Sequence, residues 1–221
     1  MRVLRNGNAP AFQAGHVGSI PITRSKMTTF WGCFVIRGFT MKFFEKQIET
    51  ETVYEGIIVN VRRDIAELQN GKLAKREVVE HPGGVCIVAI TNDGKVLMVR
   101  QFRYTVSEEM LEIPAGKLEP GEDPFICAVR ELSEETGYTA SKWIDMDVIY
   151  PSSGVYSEKL YQYLALDLQP GEMHPDENEL LSVEEINIDE LVEMIMANKL
   201  KDAKSIIGIL KAKFYLDNLT M

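Results

Sequence analysis

The chain has 221 residues, of which 45% are hydrophobic and 26% are charged. This is an ordinary globular composition, and a chain of this length can bury a stable core without disulfides or structural metal sites. Its net charge of -9 argues against a nucleic-acid binder, because neutralising a phosphate backbone requires basic surface. Binding of a small polyanionic substrate would therefore require local positive charge, from a metal ion or from a few arginines at the site.

The first 40 residues differ from the rest. They carry five basic and no acidic residues, so their charge is +5 and that of the remainder is -14. Their only apolar run, residues 30–36, is far shorter than the roughly 20 residues of a membrane span, and no convincing cleavage site follows it. We expect neither an anchor nor a signal peptide. We predict that translation begins at Met41 and that residues 1–40 are foreign to the natural protein; a disordered targeting arm is the alternative.

Cysteines and histidines give no sign of a structural site. The three cysteines are odd in number and share no short spacing, which indicates neither disulfides nor a zinc knuckle: Cys33, Cys86 and Cys127. The three histidines are scattered without ligand spacing: His16, His81 and His174. A reducing, cytoplasmic location is expected.

Residues 41–82 are predicted to form a small antiparallel β subdomain. Apolar and polar positions alternate over residues 47–68 and again over residues 73–80. Asn70-Gly71 between two alternating runs is a strong hairpin signal.

Residues 83–221 are predicted to form the main domain, which begins with two strands. The apolar run over residues 85–91 is typical of a central strand, and Asn92-Asp93-Gly94 turns the chain into a second strand over residues 95–104. We predict that these two strands pair with each other in a buried sheet.

The rest of the domain alternates between strands and helices. Residues 110–114 are predicted to be extended and residues 115–121 to form a glycine-rich loop. A helix should begin with Asp123 as its N-cap and Pro124 at its first position, and Gly137 should end it. Further elements are predicted as strands over residues 143–150 and 160–167, a polar loop over residues 151–159, and amphipathic helices near residues 188–197 and 203–216.

The predicted helix carries an acidic cluster. Glu131, Glu134 and Glu135 lie at positions i, i+3 and i+4, so a helix places all three carboxylates on one face, within about 6 Å at Cβ. Like charges at that spacing oppose helix formation unless a cation lies in front of them. Mg²⁺ prefers a few carboxylates, waters and substrate phosphate oxygens, so we favour a metal site over a solvated acidic face.

These residues belong to a longer pattern that resembles the Nudix box. Its defined positions are Gly116, Glu122, Arg130-Glu131-Leu132, Glu134-Glu135 and Gly137, and only the last apolar position departs, as Tyr138. The preceding Glu112-Ile113-Pro114-Ala115-Gly116 is similar to the motif of the ADP-ribose pyrophosphatase branch of the family. The resemblance covers residues 41–221. It implies an α/β Nudix fold, a mixed β-sheet sandwiched between α-helices, preceded by a small N-terminal antiparallel sheet.

The resemblance also implies roles for the box residues. The Ala115 carbonyl, Glu131 and Glu135 would be the metal ligands, with Mg²⁺ as the ion and Mn²⁺ as the alternative. Glu134 would bridge to a further ion, and Arg130 would orient the glutamates by bidentate pairing. Glu122 would support the ligands.

The resemblance also implies that residues outside the box contact the substrate or the attacking water. Arg103 would lie near the diphosphate, and Glu112 would also bind the substrate. Arg76 with Glu77 would reach the substrate across a homodimer in which the N-terminal sheet is exchanged. The loop over residues 152–158 is similar to the branch loop that brings a glutamate to the attacking water, which makes Glu158 the candidate general base.

The resemblance implies metal-dependent hydrolysis of ADP-ribose to AMP and ribose 5-phosphate. The branch usually has a proline about fifteen residues beyond the box, where this chain has Ser153. Another nucleoside diphosphate derivative, such as a nucleotide sugar, a dinucleotide or an oxidised nucleotide, therefore stays open as the substrate. A non-catalytic ADP-ribose-sensing module is the rival of a different class, although it would be expected to lose box glutamates. Neither nucleic acid nor membrane is expected as a partner.

Overall fold

The computed structural model describes residues 43–175 and 180–219, so the predicted leader over residues 1–40 and Cys33 lie outside the described residues. Three helices and ten strands follow in the order β1 (Glu45–Glu55), β2 (Asn60–Leu68), β3 (Leu73–Glu80), β4 (Gly84–Ala89), β5 (Lys95–Arg103), β6 (Glu108–Glu112), β7 (Ala115–Lys117), α1 (Pro124–Thr136), β8 (Tyr138–Ile149), β9 (Leu160–Pro170), β10 (Leu181–Asn187), α2 (Ile188–Met196) and α3 (Ala203–Leu219). Within these ranges, none of the helices is long and apolar enough to cross a membrane.

The N-terminal sheet consists of β1, β2 and β3, paired antiparallel in that order. The predicted hairpin at Asn70-Gly71 is confirmed, since it joins β2 to β3. The alternating run over residues 47–68 contains two strands, because a turn closes where the Gly56 N–H donates to the Val59 carbonyl at 3.0 Å. A Cβ atom at Gly56 would lie 2.8 Å from that carbonyl oxygen, so glycine permits the close approach.

The main domain contains a mixed sheet and an antiparallel sheet. The mixed sheet has the order β7-β4-β9-β8, with β4 parallel to β9, and the antiparallel sheet has the order β10-β5-β6. The central position of β4 is confirmed, because every one of its residues is buried and strands pair on both of its edges.

The predicted pairing of the strand over residues 85–91 with the strand over residues 95–104 is wrong. The two strands lie in different sheets and share only an isolated bridge between Ile90 and Val96. Since β7 and β9 occupy both edges of β4, β5 must cross to another sheet, where β6 and β10 pair with it. β10 was not predicted from the sequence, and β7 lies where a glycine-rich loop was predicted.

Helices cover both faces of the mixed sheet. Val85, Ile87 and Ala89 pack with Cys127, Ala128 and Leu132 of α1. Cys86 and Val88 of β4, and Ile90 directly after it, pack against α2 and α3. Each fully buried side chain of the size of Val, Leu or Ile stabilises the fold by roughly 1.5–3 kcal/mol. The predicted sandwich is confirmed, and it holds α1 rigidly against the sheet.

Cys86 and Cys127 are free thiols in these two cores. Burial raises the pKa of each to about 12, so both stay protonated near neutral pH.

Candidate active site

The box helix α1 begins and ends as the sequence predicts. The Asp123 carboxylate accepts hydrogen bonds from the Phe125 and Ile126 N–H groups at 2.9 and 3.3 Å, and Pro124 follows the cap. Gly137 ends the helix with φ 73°, and its N–H donates to the Ser133 carbonyl at 2.9 Å. These caps fix the register of the three glutamates on α1.

Two of those glutamates are buried against the short strand β7. Glu131 and Glu135 are 8% and 2% exposed. The Ala115 N–H donates to Glu135 Oε2 at 2.9 Å, and a Cβ atom placed on Gly116 would lie 1.8 Å from Glu131 Cδ. Both carboxylates therefore meet the backbone of Ala115-Gly116.

Arg130 connects the carboxylates of the box. Its guanidinium donates to both oxygens of Glu122 at 3.0 Å, to Glu131 at 2.8 Å and to Glu134 at 2.9 Å. The hydrogen bonds from Arg130 lower the pKa of Glu122 to about 2, and those same bonds raise the pKa of Arg130. A planar guanidinium is suited to hydrogen bonding with several carboxylates at once. These hydrogen bonds restrain Glu131 and Glu134 next to the buried Glu135.

The donor set fits a hard divalent cation. Within residues 43–175 and 180–219, no three His, Cys, Asp or Glu side chains converge closely enough to hold a metal by themselves. Mg²⁺ does not require such a cage, because it is usually bound by one or two carboxylates together with waters and substrate phosphates. Glu131 and Glu135 supply two carboxylates beside a main-chain segment whose Ala115 carbonyl is a further oxygen donor.

A cleft of about 400 Å³ opens next to this backbone segment. Residues from distant parts of the chain line it, among them His81, Arg103, Ala115, Gly116, Glu158 and Lys204. The structure therefore brings the predicted base Glu158 and the predicted substrate residue Arg103 to one cleft with Ala115.

Arg103 is held by the buried Glu112. Its guanidinium donates twice to that carboxylate, at 2.7 Å each, and Lys204 contacts the same carboxylate. Burial acts to raise the pKa of Glu112, but the two cations outweigh it and hold the pKa at about 2. Glu112 is thus ionised and fixes Arg103 at the cleft.

Arg76 and Glu77 lie elsewhere, on β3 of the N-terminal sheet. The Arg76 guanidinium donates to both oxygens of Glu45, at 2.6 and 2.8 Å, and Glu77 is exposed. Neither lines the cleft of the same chain. Ser153, where the resembling branch has proline, lies in an exposed turn of the loop over residues 151–159.

His81 and Lys204 line the cleft but were not predicted as site residues from the sequence. His81 stands in the sequence only as one of three histidines without metal-ligand spacing. Lys204 lies in the first turn of α3, where Asp202 accepts from the Ser205 N–H at 3.0 Å. A helix-start pattern at Asp202 was the local signal that could have placed Lys204 at a helix terminus.

Comparisons with known proteins agree with this geometry. A family model for the NUDIX domain matches residues 80–207, and one for the nucleoside diphosphate sugar hydrolase N-terminal domain matches residues 45–79. The chain therefore belongs to the Nudix family.

Two relatives and one solved structure extend the comparison. The chain is 40% identical over 167 residues to an ADP-ribose pyrophosphatase of Bacillus subtilis, covering 75% of this chain and 90% of the relative. It is also 40% identical over 169 residues to a methanol dehydrogenase activator of Bacillus methanolicus, covering 76% and 91%. A crystal structure of an ADP compounds hydrolase superposes with a TM-score of 0.70 at 22% identity, covering 79% of this chain and 95% of that one, which confirms the fold.

Proposed function

We propose that this Nudix hydrolase cleaves the diphosphate of ADP-ribose, in a reaction that depends on Mg²⁺ and yields AMP and ribose 5-phosphate. One observation carries the proposal. The buried Glu131 and Glu135 lie against the Ala115-Gly116 backbone, and this backbone lines a cleft that Glu158 also lines. The similarity to an ADP-ribose pyrophosphatase supports this choice of substrate.

Glu131, Glu135 and the Ala115 carbonyl would hold the ion, with Glu134 next to them for a second one. Bound Mg²⁺ neutralises diphosphate charge and polarises the bond that breaks. Arg130 restrains Glu131 and Glu134 through its hydrogen bonds, so less reordering is needed when the ion binds. Buried ligands that are already oriented favour the charged transition state over the free substrate.

The chain's own residues carry the proton transfer. Glu158 takes a proton from water, whose oxygen forms a bond to one phosphorus while the bridging P–O bond breaks and the other phosphate leaves. Arg103, which lines the cleft and is fixed by Glu112, binds diphosphate oxygens.

A substrate panel tests the proposed function. ADP-ribose, a nucleotide sugar, a dinucleotide and an oxidised nucleotide are each assayed with Mg²⁺, with Mn²⁺ and with a chelator. We expect the highest kcat/KM for ADP-ribose and no turnover under chelation. A higher kcat/KM for one of the other three would transfer the assignment to that compound.

We further propose that the enzyme is a homodimer assembled through the N-terminal sheet. Every residue of β1 is exposed in the single chain, and several large apolar side chains lie open to solvent on and around it: Phe43, Phe44, Ile48, Val53, Tyr54 and Ile57. Soluble monomers rarely expose apolar surface of this extent, and a small isolated sheet is marginal alone. In such a dimer, Arg76 and Glu77 of one protomer would reach the cleft of the other.

We place the enzyme in the cytoplasm, where thiols such as Cys86 stay reduced.

Light scattering at micromolar concentration should report close to twice the chain mass of 25.0 kDa. Val53→Asp, which adds a charge to exposed β1, should shift the protein towards monomer and lower its activity. A wild type that is a fully active monomer would refute the dimer. A monomeric Val53→Asp with full activity would refute the contribution of Arg76 and Glu77 to the cleft of the partner protomer.

A further inference from the structure

The loop that carries Glu158 is attached to the end of β3. The Val79 N–H donates to the Val155 carbonyl at 2.8 Å, and the Ser157 N–H donates to the Val79 carbonyl at 2.9 Å. The Gly84 N–H donates to the Lys159 carbonyl at 3.0 Å. Residues 79–84, which connect the N-terminal sheet to the main domain, therefore hold the loop on both sides of Glu158.

His81 lies at the centre of this attachment. Its N–H donates to Ser157 Oγ at 3.2 Å, and its ring centroid lies 5.4 Å from that of Tyr156. Its Nδ1 atom lies 3.3 Å from Glu158 Oε1, and the two side chains are only 10% and 17% exposed. The backbone and ring contacts thus aim the imidazole at one oxygen of the candidate base.

The same nitrogen has a second partner. The Gly83 N–H donates to His81 Nδ1 at 3.1 Å, which requires an unprotonated Nδ1 with a free lone pair. Burial lowers the pKa of His81, the Glu158 carboxylate opposes that shift, and Lys117 adds to it. The neutral ring, with Nδ1 as an acceptor, is therefore favoured near neutral pH, and Glu158 and Lys117 are the charged groups acting on it.

We propose that His81 is a positioning residue for Glu158: the imidazole packs beside its carboxyl group at the cleft, and the Nδ1 lone pair that accepts from the Gly83 N–H is shared with Glu158 once Glu158 has taken the proton of the attacking water. This inference rests on the proposed role of Glu158 as the base. The proton passes from water to Glu158, whose new O–H group then lies against Nδ1 as a second donor beside the Gly83 N–H until the products leave.

A titration by NMR tests the contact without any turnover. The imidazole pKa of His81 is measured in the wild type and in Glu158→Gln, with the resonance assigned through His81→Asn. Removing the carboxylate should lower the His81 pKa, because a negative charge beside the ring favours imidazolium. The resonance of the exposed His174 serves as the internal control. An unchanged His81 pKa would overturn the coupling even if the enzyme hydrolyses ADP-ribose as proposed.

Kinetics test the catalytic consequence. His81→Ala should lower kcat by ~10- to 100-fold at unchanged KM, as loss of a supporting hydrogen-bond partner typically does. His81→Asn should restore most of that loss, since its amide oxygen can occupy the place of Nδ1, whereas the longer side chain of His81→Gln should not. The double variant His81→Ala/Glu158→Gln should be no slower than Glu158→Gln alone.

The kinetic results test two separate claims, the positioning role of His81 and the assignment of Glu158 as the base. Wild-type kcat in His81→Ala, or additive losses in the double variant, would overturn the positioning role of His81. Wild-type kcat in Glu158→Gln would overturn the assignment of the base itself, and with it the catalytic meaning of the contact.

Discussion

Glu158→Gln is expected to lower turnover of ADP-ribose by ~10²- to 10⁴-fold and to leave the metal concentration for half-maximal activity unchanged, as loss of a general base does. Glu135→Gln should fail differently. Its amide oxygen can still accept from the Ala115 N–H, so the helix stays in place, but a charge is lost from the proposed metal site. Its activity should partly return at high Mg²⁺ or Mn²⁺. Metal titrations of turnover for both variants measure the difference.

Glu190→Gln, an exposed site on α2, is the matched control and should behave as the wild type. If Glu158→Gln keeps full activity while Glu135→Gln is inactive, the base lies elsewhere, with Glu134 and Glu112 as the other candidates. Of these two, Glu112 is the poorer base, because its pKa is held at about 2 by Arg103 and Lys204. Full activity in both variants would refute the assignment of the chemistry to the box.

Gly116→Ala is expected to remove most of the activity while leaving the fold nearly intact. The added Cβ would lie 1.8 Å from Glu131 Cδ, so the carboxyl group must move. That group is the end of a side chain that can rotate, and its displacement costs little stability. A shift of about 1 Å in a reacting constellation can lower the rate by about 10²-fold. Turnover and melting temperature, measured on the same preparation, separate the two effects.

Gly154→Ala is the control for this substitution, because a Cβ at Gly154 meets no atom within 4 Å. It should retain both turnover and melting temperature. A Gly116→Ala enzyme with wild-type turnover would show that the position of the Glu131 carboxylate does not matter to the reaction. An unfolded Gly116→Ala protein would show that the backbone, and not Glu131, yields to the added atom.

The parts of the fold that could be predicted are those whose cause is local. Asp123, Pro124 and Gly137 set the two ends of α1 through contacts within a few residues. The unbroken apolar run of β4 by itself indicates a strand that is buried on both faces. The acidic cluster could be predicted for the same reason, because helical spacing alone places its three glutamates on one face.

The rest depends on contacts between distant segments. The sheet to which β5 belongs is decided by β7 and β9, which occupy both edges of β4, and no property of the β5 sequence indicates this. His81 and Glu158 are 77 positions apart and meet only because residues 79–84 hold the loop over residues 151–159. Lys204 reaches Glu112 across a similar separation, so a list of charged residues did not reveal that Glu112 is already neutralised.

The central claim is that the box and Glu158 direct water to a phosphorus atom of ADP-ribose in a metal-dependent reaction. Its most direct test is a single-turnover reaction in ¹⁸O-labelled water, with the products identified by mass spectrometry in the presence of Mg²⁺ and of a chelator. We predict equal amounts of AMP and ribose 5-phosphate with Mg²⁺, one of them carrying a single ¹⁸O in its phosphate, and no products under chelation. Label-free phosphates, cleavage to ADP and ribose, or equal turnover under chelation would contradict the account.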